Sequence, residues 1–142
     1  MNLITLYHLI FIVKIKNNMR VCIFGSGLSA LTLAKALVNQ NIFVDIIDTN
    51  SKHEINKSRT IGISKSNLDY FNKEIINIEK IVWKINKIEI YSENLKSEKI
   101  LNFKNDKDSL FSILMNYNLF EILKKSLSKN KFFKKLSLKE II

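Results

Sequence analysis

At 142 residues and 46% hydrophobic content, the chain is long enough for one modest core and too apolar for a disordered segment. Its net charge of +10 does not mark a nucleic-acid binder. Of 23 basic residues 21 are lysines, scattered among 17 asparagines and 23 isoleucines, whereas nucleic-acid faces favour arginine forks. With one cysteine, Cys22, no disulfide within the chain can form, and the isolated His8 and His53 have no metal spacing and no dyad partner.

Residues 1–13 are apolar. The stretch is shorter than the about 20 residues of a spanning helix and lacks the basic start and small-residue cleavage site of a signal peptide. Lys14, Lys16, Asn17 and Asn18 separate it from the strand that Met19 immediately precedes. The expectation is that Met19 is the native start and that residues 1–18 are an extension, with a short interfacial anchor or an extra strand as alternatives.

From Arg20 to Asp48 the pattern is the most informative in the chain. Val21 to Phe24 form a short apolar run, expected to be a parallel strand covered on both faces, with Cys22 buried in it. Gly25-Ser26-Gly27-Leu28-Ser29-Ala30 follows at once. Gly25 permits a tight turn, Gly27 lets a pyrophosphate approach the backbone, and Ala30 lets the following helix sit close to the strand. A helix over residues 28–39 then points its free N–H groups and partial positive charge at the phosphates. A second strand runs over 43–47, and Asp48 ends it 23 residues after Gly25. An acid there accepts from adenosine ribose hydroxyls and repels a 2′-phosphate, which disfavours NADP. This strand, glycine turn, helix, strand and acid are the opening of a dinucleotide-binding βαβ unit. The competing reading is a glycine-rich turn in a phosphate-free α/β protein with Asp48 merely solvated. Asp45, mid-strand, ranks below Asp48 for the ribose.

A nicotinamide dehydrogenase would continue with a helix and a third parallel strand, and this chain departs from that. Residues 49–57 read as polar loop, and Arg59-Thr60-Ile61-Gly62-Ile63-Ser64 as a short strand. Ser66 or Asn67 can cap a helix through about Ile76, with Leu68, Phe71 and Ile75 on one face. Residues 85–91 read as a half-buried strand through Ile85, Ile88 and Ile90; 92–99 as a turn; and 100–103 as the strand that pairs back. A second amphipathic helix is predicted over 117–127. Residues 132–142 alternate as a further strand, and lysines 124, 125, 129, 131, 134, 135 and 139 suit an anionic membrane surface without forming a clean amphipathic face. One βαβ unit and a hairpin do not close a doubly wound sheet, so the chain reads as the N-terminal part of a longer domain, residues 19–142 being truncated.

This order of motifs resembles the FAD-dependent aromatic hydroxylases, most closely the bacterial ubiquinone-biosynthesis hydroxylases, over about residues 19–136. The matching features are the glycine turn, the acid ending strand two, the Arg59 segment, the helix and hairpin, and Asn116-Tyr117-Asn118-Leu119 at the start of the second helix. The family usually has arginine where Tyr117 stands. Its later Gly-Asp-Ala-x-His motif has no counterpart here. The resemblance implies an α/β fold: a Rossmann-like FAD-binding βαβ unit plus the start of a substrate-domain β-hairpin, an incomplete domain.

It also implies FAD as cofactor, with Gly25, Ser26, Gly27 and Leu28 at the pyrophosphate, Asp48 at the ribose, and Arg59 and Asn116 as further contacts. NAD(P)H is the implied electron donor and an aromatic quinone precursor the implied substrate. No catalytic side chain is expected, because the flavin performs the chemistry. Without the resemblance, Arg59 is a surface ion-pair residue and Asn116 a helix cap. The implied location is cytoplasmic, with peripheral seating at the inner membrane as an alternative, and the implied partner is a companion C-terminal fragment. The other readings are an inactive truncated or split product, an NAD-binding module, and a lysine-rich module for anionic surfaces.

Overall fold

The computed structural model describes residues 19–48, 57–93, 98–104 and 109–137. Residues 1–18, with the alternatives raised for them, and all but Lys57 of the polar loop lie outside the described residues, as do His8 and His53. In chain order the elements are β1 (Arg20–Phe24), α1 (Leu28–Asn39), β2 (Phe43–Asp48), β3 (Thr60–Ser64), α2 (Lys65–Tyr70), β4 (Val82–Ile85), β5 (Lys87–Tyr91), β6 (Lys99–Lys104), β7 (Phe111–Met115), α3 (Asn116–Leu127) and β8 (Phe133–Ser137). They divide into two units. The first holds residues 19–48 and 126–137, and the second holds residues 57–93, 98–104 and 109–125.

In the first unit β2 is the central strand of a parallel sheet ordered β1-β2-β8. The register runs Arg20 to Phe43 through Phe24 to Ile47, and Val44 to Phe133 through Asp48 to Ser137. α1 is helical because its apolar residues recur on one stripe: Leu31, Ala34 and Val38 are buried, as are Val44, Ile46 and Ile47 of β2. Burying each of the larger side chains contributes roughly 1.5–3 kcal/mol. The helix ends where Asn41 takes φ 60°. There the N–H of Ile42 donates to Leu37 and that of Asn41 to Val38, the double bond of a Schellman ending, with Ile42 buried behind it.

β1 departs from its expected burial. Val21 and Ile23 are half-buried, whereas Cys22 and Phe24 are exposed, Phe24 by 72%. Cys22 and Phe24 alternate with Val21 and Ile23 and so share the more exposed face of the strand; an apolar run does not by itself say which face is covered.

The second unit is built on β7, flanked antiparallel by β3 and β4. Its buried side chains include Leu68, Ile75, Ile78, Leu114, Leu119 and Leu123. α2 starts two or three residues earlier than expected, because Ser64 rather than Ser66 or Asn67 caps it: Ser64 Oγ accepts from the Asn67 N–H at 3.3 Å. It widens into a π-type turn over Phe71–Ile75, closed by the Ile76 N–H on Phe71 O at 2.9 Å. Asn72 then fixes the chain reversal, since its Oδ1 accepts from the Ile78 N–H at 2.8 Å. The strand expected over 85–91 is two strands, broken at Asn86.

β5 and β6 form a separate hairpin with a bulge at Ile90/Tyr91. Ile88 pairs with Phe103 and Ile90 with Leu101, so one face is apolar, and Ile90, Leu101 and Phe103 are each more than 40% exposed. On the other face Glu89 lies between Lys87, at 2.9 Å, and Lys99. Among the described residues no helix is long and apolar enough to cross a membrane.

Candidate functional site

The turn after β1 combines two glycines that differ in kind. Gly25 has φ 103°, where a side chain is strained, and its N–H donates to Ile47 O at 2.9 Å, continuing the β1–β2 ladder into the turn. Gly27 has φ −71° and ψ 176°, which any residue adopts. A Cβ on Gly27 would meet no atom within 4 Å. Neither backbone strain nor packing therefore requires glycine at 27. The vacant space in front of it is what close approach by a ligand needs.

Gly27 is also the residue from which α1 springs. No side chain caps that helix start, and no acid lies in its first turn. The first N–H groups of α1, from Leu28 onward, carry the helix's partial positive charge toward this space. A diphosphate fits the open backbone, the uncapped helix start and the absence of nearby negative side chains in the first turn.

At the end of β2, Asp48 lies beside the turn. Its Oδ1 accepts from Ser26 Oγ at 2.9 Å, and Lys135 Nζ of β8 stands 2.7 Å from its Oδ2. Asp48 is mostly buried, its side chain 19% exposed. Asp45, three residues earlier and so on the opposite face of β2, is engaged elsewhere: Arg20 Nη1 bonds both of its oxygens at 2.9 and 2.8 Å. The geometry thus separates the two acids, placing Asp48 and not Asp45 against the glycine turn. Gly25, Ser26, Gly27, Leu28 and Asp48 are brought together in one place within the first unit.

Arg59 and Asn116 are brought together within the second unit. The β3–β7 ladder extends one step beyond Thr60 and Met115, so that the Asn116 N–H donates to Arg59 O at 2.9 Å. The Asn116 side chain is more telling. Its Oδ1 is buried and accepts no hydrogen bond, so it does not cap α3. A buried acceptor left unpaired costs roughly 1–3 kcal/mol, and a donor from a bound group would remove that cost. Tyr117, beside Asn116, has the Lys57 ammonium 5.1 Å from its ring centroid. In the first unit the residues present fit a diphosphate-bearing cofactor. The sequence pattern gives Lys135 only as one of a group of lysines suited to an anionic surface and does not mark Lys57; each makes a contact between distant segments. Among the described residues there is no cluster of His, Cys, Asp and Glu that could hold a metal.

No protein-family model matches the chain, and no curated protein matches it. Its backbone is similar to solved structures of flavin monooxygenases. One is p-nitrophenol 4-monooxygenase PnpA from Pseudomonas putida DLL-E4, at TM-score 0.65 and 13% identity, over 84% of this chain and 32% of that one. A second is PqsL of Pseudomonas aeruginosa in complex with 2-aminobenzoylacetate, at TM-score 0.68 and 16% identity, over 85% and 34%. A third is HpxO of Klebsiella pneumoniae complexed with FAD, at TM-score 0.63 and 13% identity, over 83% and 31%. The chain therefore has the mixed α/β fold of the FAD-dependent monooxygenases and spans about a third of their length.

Proposed function

We propose that the chain is the FAD-binding part of a monooxygenase that hydroxylates an aromatic ring, with an aromatic quinone precursor of the ubiquinone-biosynthesis kind as substrate. The observation that carries this reading is the open space at Gly27, at an uncapped helix start and beside the Ser26–Asp48 pair. Gly25, Ser26, Gly27 and Leu28 would receive the pyrophosphate through backbone N–H groups, and Asp48 would accept from the ribose hydroxyls. Arg59 would supply charge and Asn116 Oδ1 an acceptor to the rest of the cofactor. FAD supplies the redox and oxygen chemistry when bound, with NAD(P)H as electron donor.

The adenosine diphosphate moiety is common to FAD and NAD, so the glycine turn by itself admits an NAD-binding module. The second unit favours FAD. Between β2 and the third parallel strand β8 this chain inserts an antiparallel sheet and a hairpin, and with that insertion its backbone is similar to solved flavin monooxygenases.

Turnover belongs to the completed fold, because the chain spans only about a third of the length of those monooxygenases. The partner we propose is the companion part of the same fold, and the exposed apolar face of Ile90, Leu101 and Phe103 supports that. A cytoplasmic location, with peripheral seating at the inner membrane, goes with this substrate.

FAD titration followed by flavin fluorescence tests the reading. Saturable binding is expected for the wild-type chain, weakened at least about tenfold by Gly27→Val and by Asp48→Ala. Equal affinity in all three proteins would remove the assigned pocket, and tighter binding of NAD than of FAD would favour the NAD module.

A further inference from the structure

The carboxylate that ends β2 does not face the nucleotide site as a bare negative charge. Lys135 pairs with Ile46 in the β2–β8 register, two positions before Asp48, and its side chain runs along the sheet to place Nζ 2.7 Å from Asp48 Oδ2. The other oxygen takes the Ser26 hydroxyl at 2.9 Å. Taken together, Asp48 and Lys135 carry no net charge, and the lysine side chain remains 57% exposed, on the open side of the pair.

An acid in this position discriminates against a 2′-phosphorylated ribose by like-charge repulsion, and a neighbouring cation is what accommodates such a phosphate. We infer that Lys135 is a specificity-determining residue: by neutralising Asp48 it lifts the bar against a 2′-phosphate, so that the site takes adenosine nucleotides with or without that group. This overturns the preference against NADP that Asp48 alone suggests. It rests on the nucleotide reading of the Gly25–Leu28 turn. It goes beyond that reading by naming which adenosine nucleotides the turn admits. A lysine suits the role because its ammonium is a mobile point charge that can be shared between the carboxylate and an incoming phosphate.

The test compares two probes that differ by one group, ADP-ribose and 2′-phospho-ADP-ribose, titrated calorimetrically into the full chain. The two are expected to bind within about threefold of each other. Lys135→Met, which keeps the length and removes the charge, should weaken the 2′-phosphorylated probe relative to ADP-ribose by about tenfold, the scale of one unit charge near a surface. Lys135→Arg should keep the wild-type ratio, and Asp48→Asn combined with Lys135→Met should restore it by removing the repulsion. Taking the ratio cancels any general loss of fold or of attraction to the diphosphate. An unchanged ratio in Lys135→Met, or the same loss in Lys135→Arg, overturns the inference while the nucleotide site stands. Failure of the wild-type chain to bind either probe overturns the nucleotide reading and this inference with it.

Discussion

Ser26 Oγ donates to Asp48 Oδ1 at 2.9 Å, so the turn after β1 is tied by a side chain to the end of β2, 22 positions away in sequence. The bond is part-buried, and the other oxygen of the same carboxylate, Oδ2, pairs with Lys135. A hydrogen bond to a charged group in this setting contributes about 1 kcal/mol after allowance for solvent. Ser26→Ala is expected to lower stability by that amount in urea denaturation. In a double-mutant cycle with Asp48→Ala the coupling should also be about 1 kcal/mol. Strict additivity of the two variants would show that the hydroxyl and the carboxylate do not interact in solution.

The two glycines of the turn should separate stability from binding. Gly25, at φ 103°, cannot take a side chain without strain, and Gly25→Ala should cost roughly 1–3 kcal/mol. Gly27 is different, because its conformation is ordinary and its surroundings are open. Gly27→Asp would give α1 the capping acid it lacks and should hold or raise the melting temperature, by up to about 1 kcal/mol of added stability. The same carboxylate would stand in the diphosphate space, so FAD affinity should fall at least a hundredfold, about 2.7 kcal/mol. A Gly27→Asp protein that is stable and still binds FAD normally would refute the placement of the pyrophosphate.

The first unit was the more legible in sequence because its signals are local. The limits of α1 and the acid at Asp48 follow from an apolar stripe, a glycine turn and a strand end lying within 29 consecutive residues. In the second unit, phase was the missing information. Ile85 and Ile88 are three residues apart, an odd step that a strand of period two cannot keep on one face, and the break falls between them at Asn86. Strand β7, Phe111-Ser112-Ile113-Leu114-Met115, is almost wholly apolar, and such a short run shows neither strand nor helix period. Its Ser112 is fully buried in this central strand, a position that no alternation of polar and apolar residues marks. The site was legible where the backbone makes it. The contacts of Lys135 and Lys57 could not be read, because a contact between distant segments leaves no local period.

Gly62 is required by a neighbour rather than by its own conformation. A Cβ there would clash with Phe111 Cε2 and fall 2.7 Å from Cζ, since the Phe111 ring lies across β3 at this point. Gly62→Ala must push that half-buried ring aside, which should cost about 1–3 kcal/mol. Phe111→Leu removes the obstructing atoms, so the alanine should cost markedly less in that background. Equal costs of Gly62→Ala in the two backgrounds, measured by thermal denaturation, would disprove the contact.

The hairpin should carry an acid-sensitive contribution. Glu89 is drawn down to about 2, from an ordinary value of 4.5, first by the hydrogen bond from Lys99 and then by that from Lys87. The folded state holds the carboxylate ionised where the unfolded chain would protonate it. Between these values the unfolded state therefore binds more protons, and stability rises with pH. The contribution is complete above about pH 4.5 and is lost as the pH falls toward 2. Glu89→Gln lacks the charge at every pH, so its melting temperature should lie below that of the wild type near pH 6 and converge on it near pH 2. Carbon-detected NMR of the Glu89 carboxyl gives a second readout, with a midpoint near 2 that returns toward 4.5 when Lys99 and Lys87 are both replaced by methionine. A melting-temperature gap that stays constant from pH 6 to 2 would mean that the two lysines do not hold this carboxylate in solution.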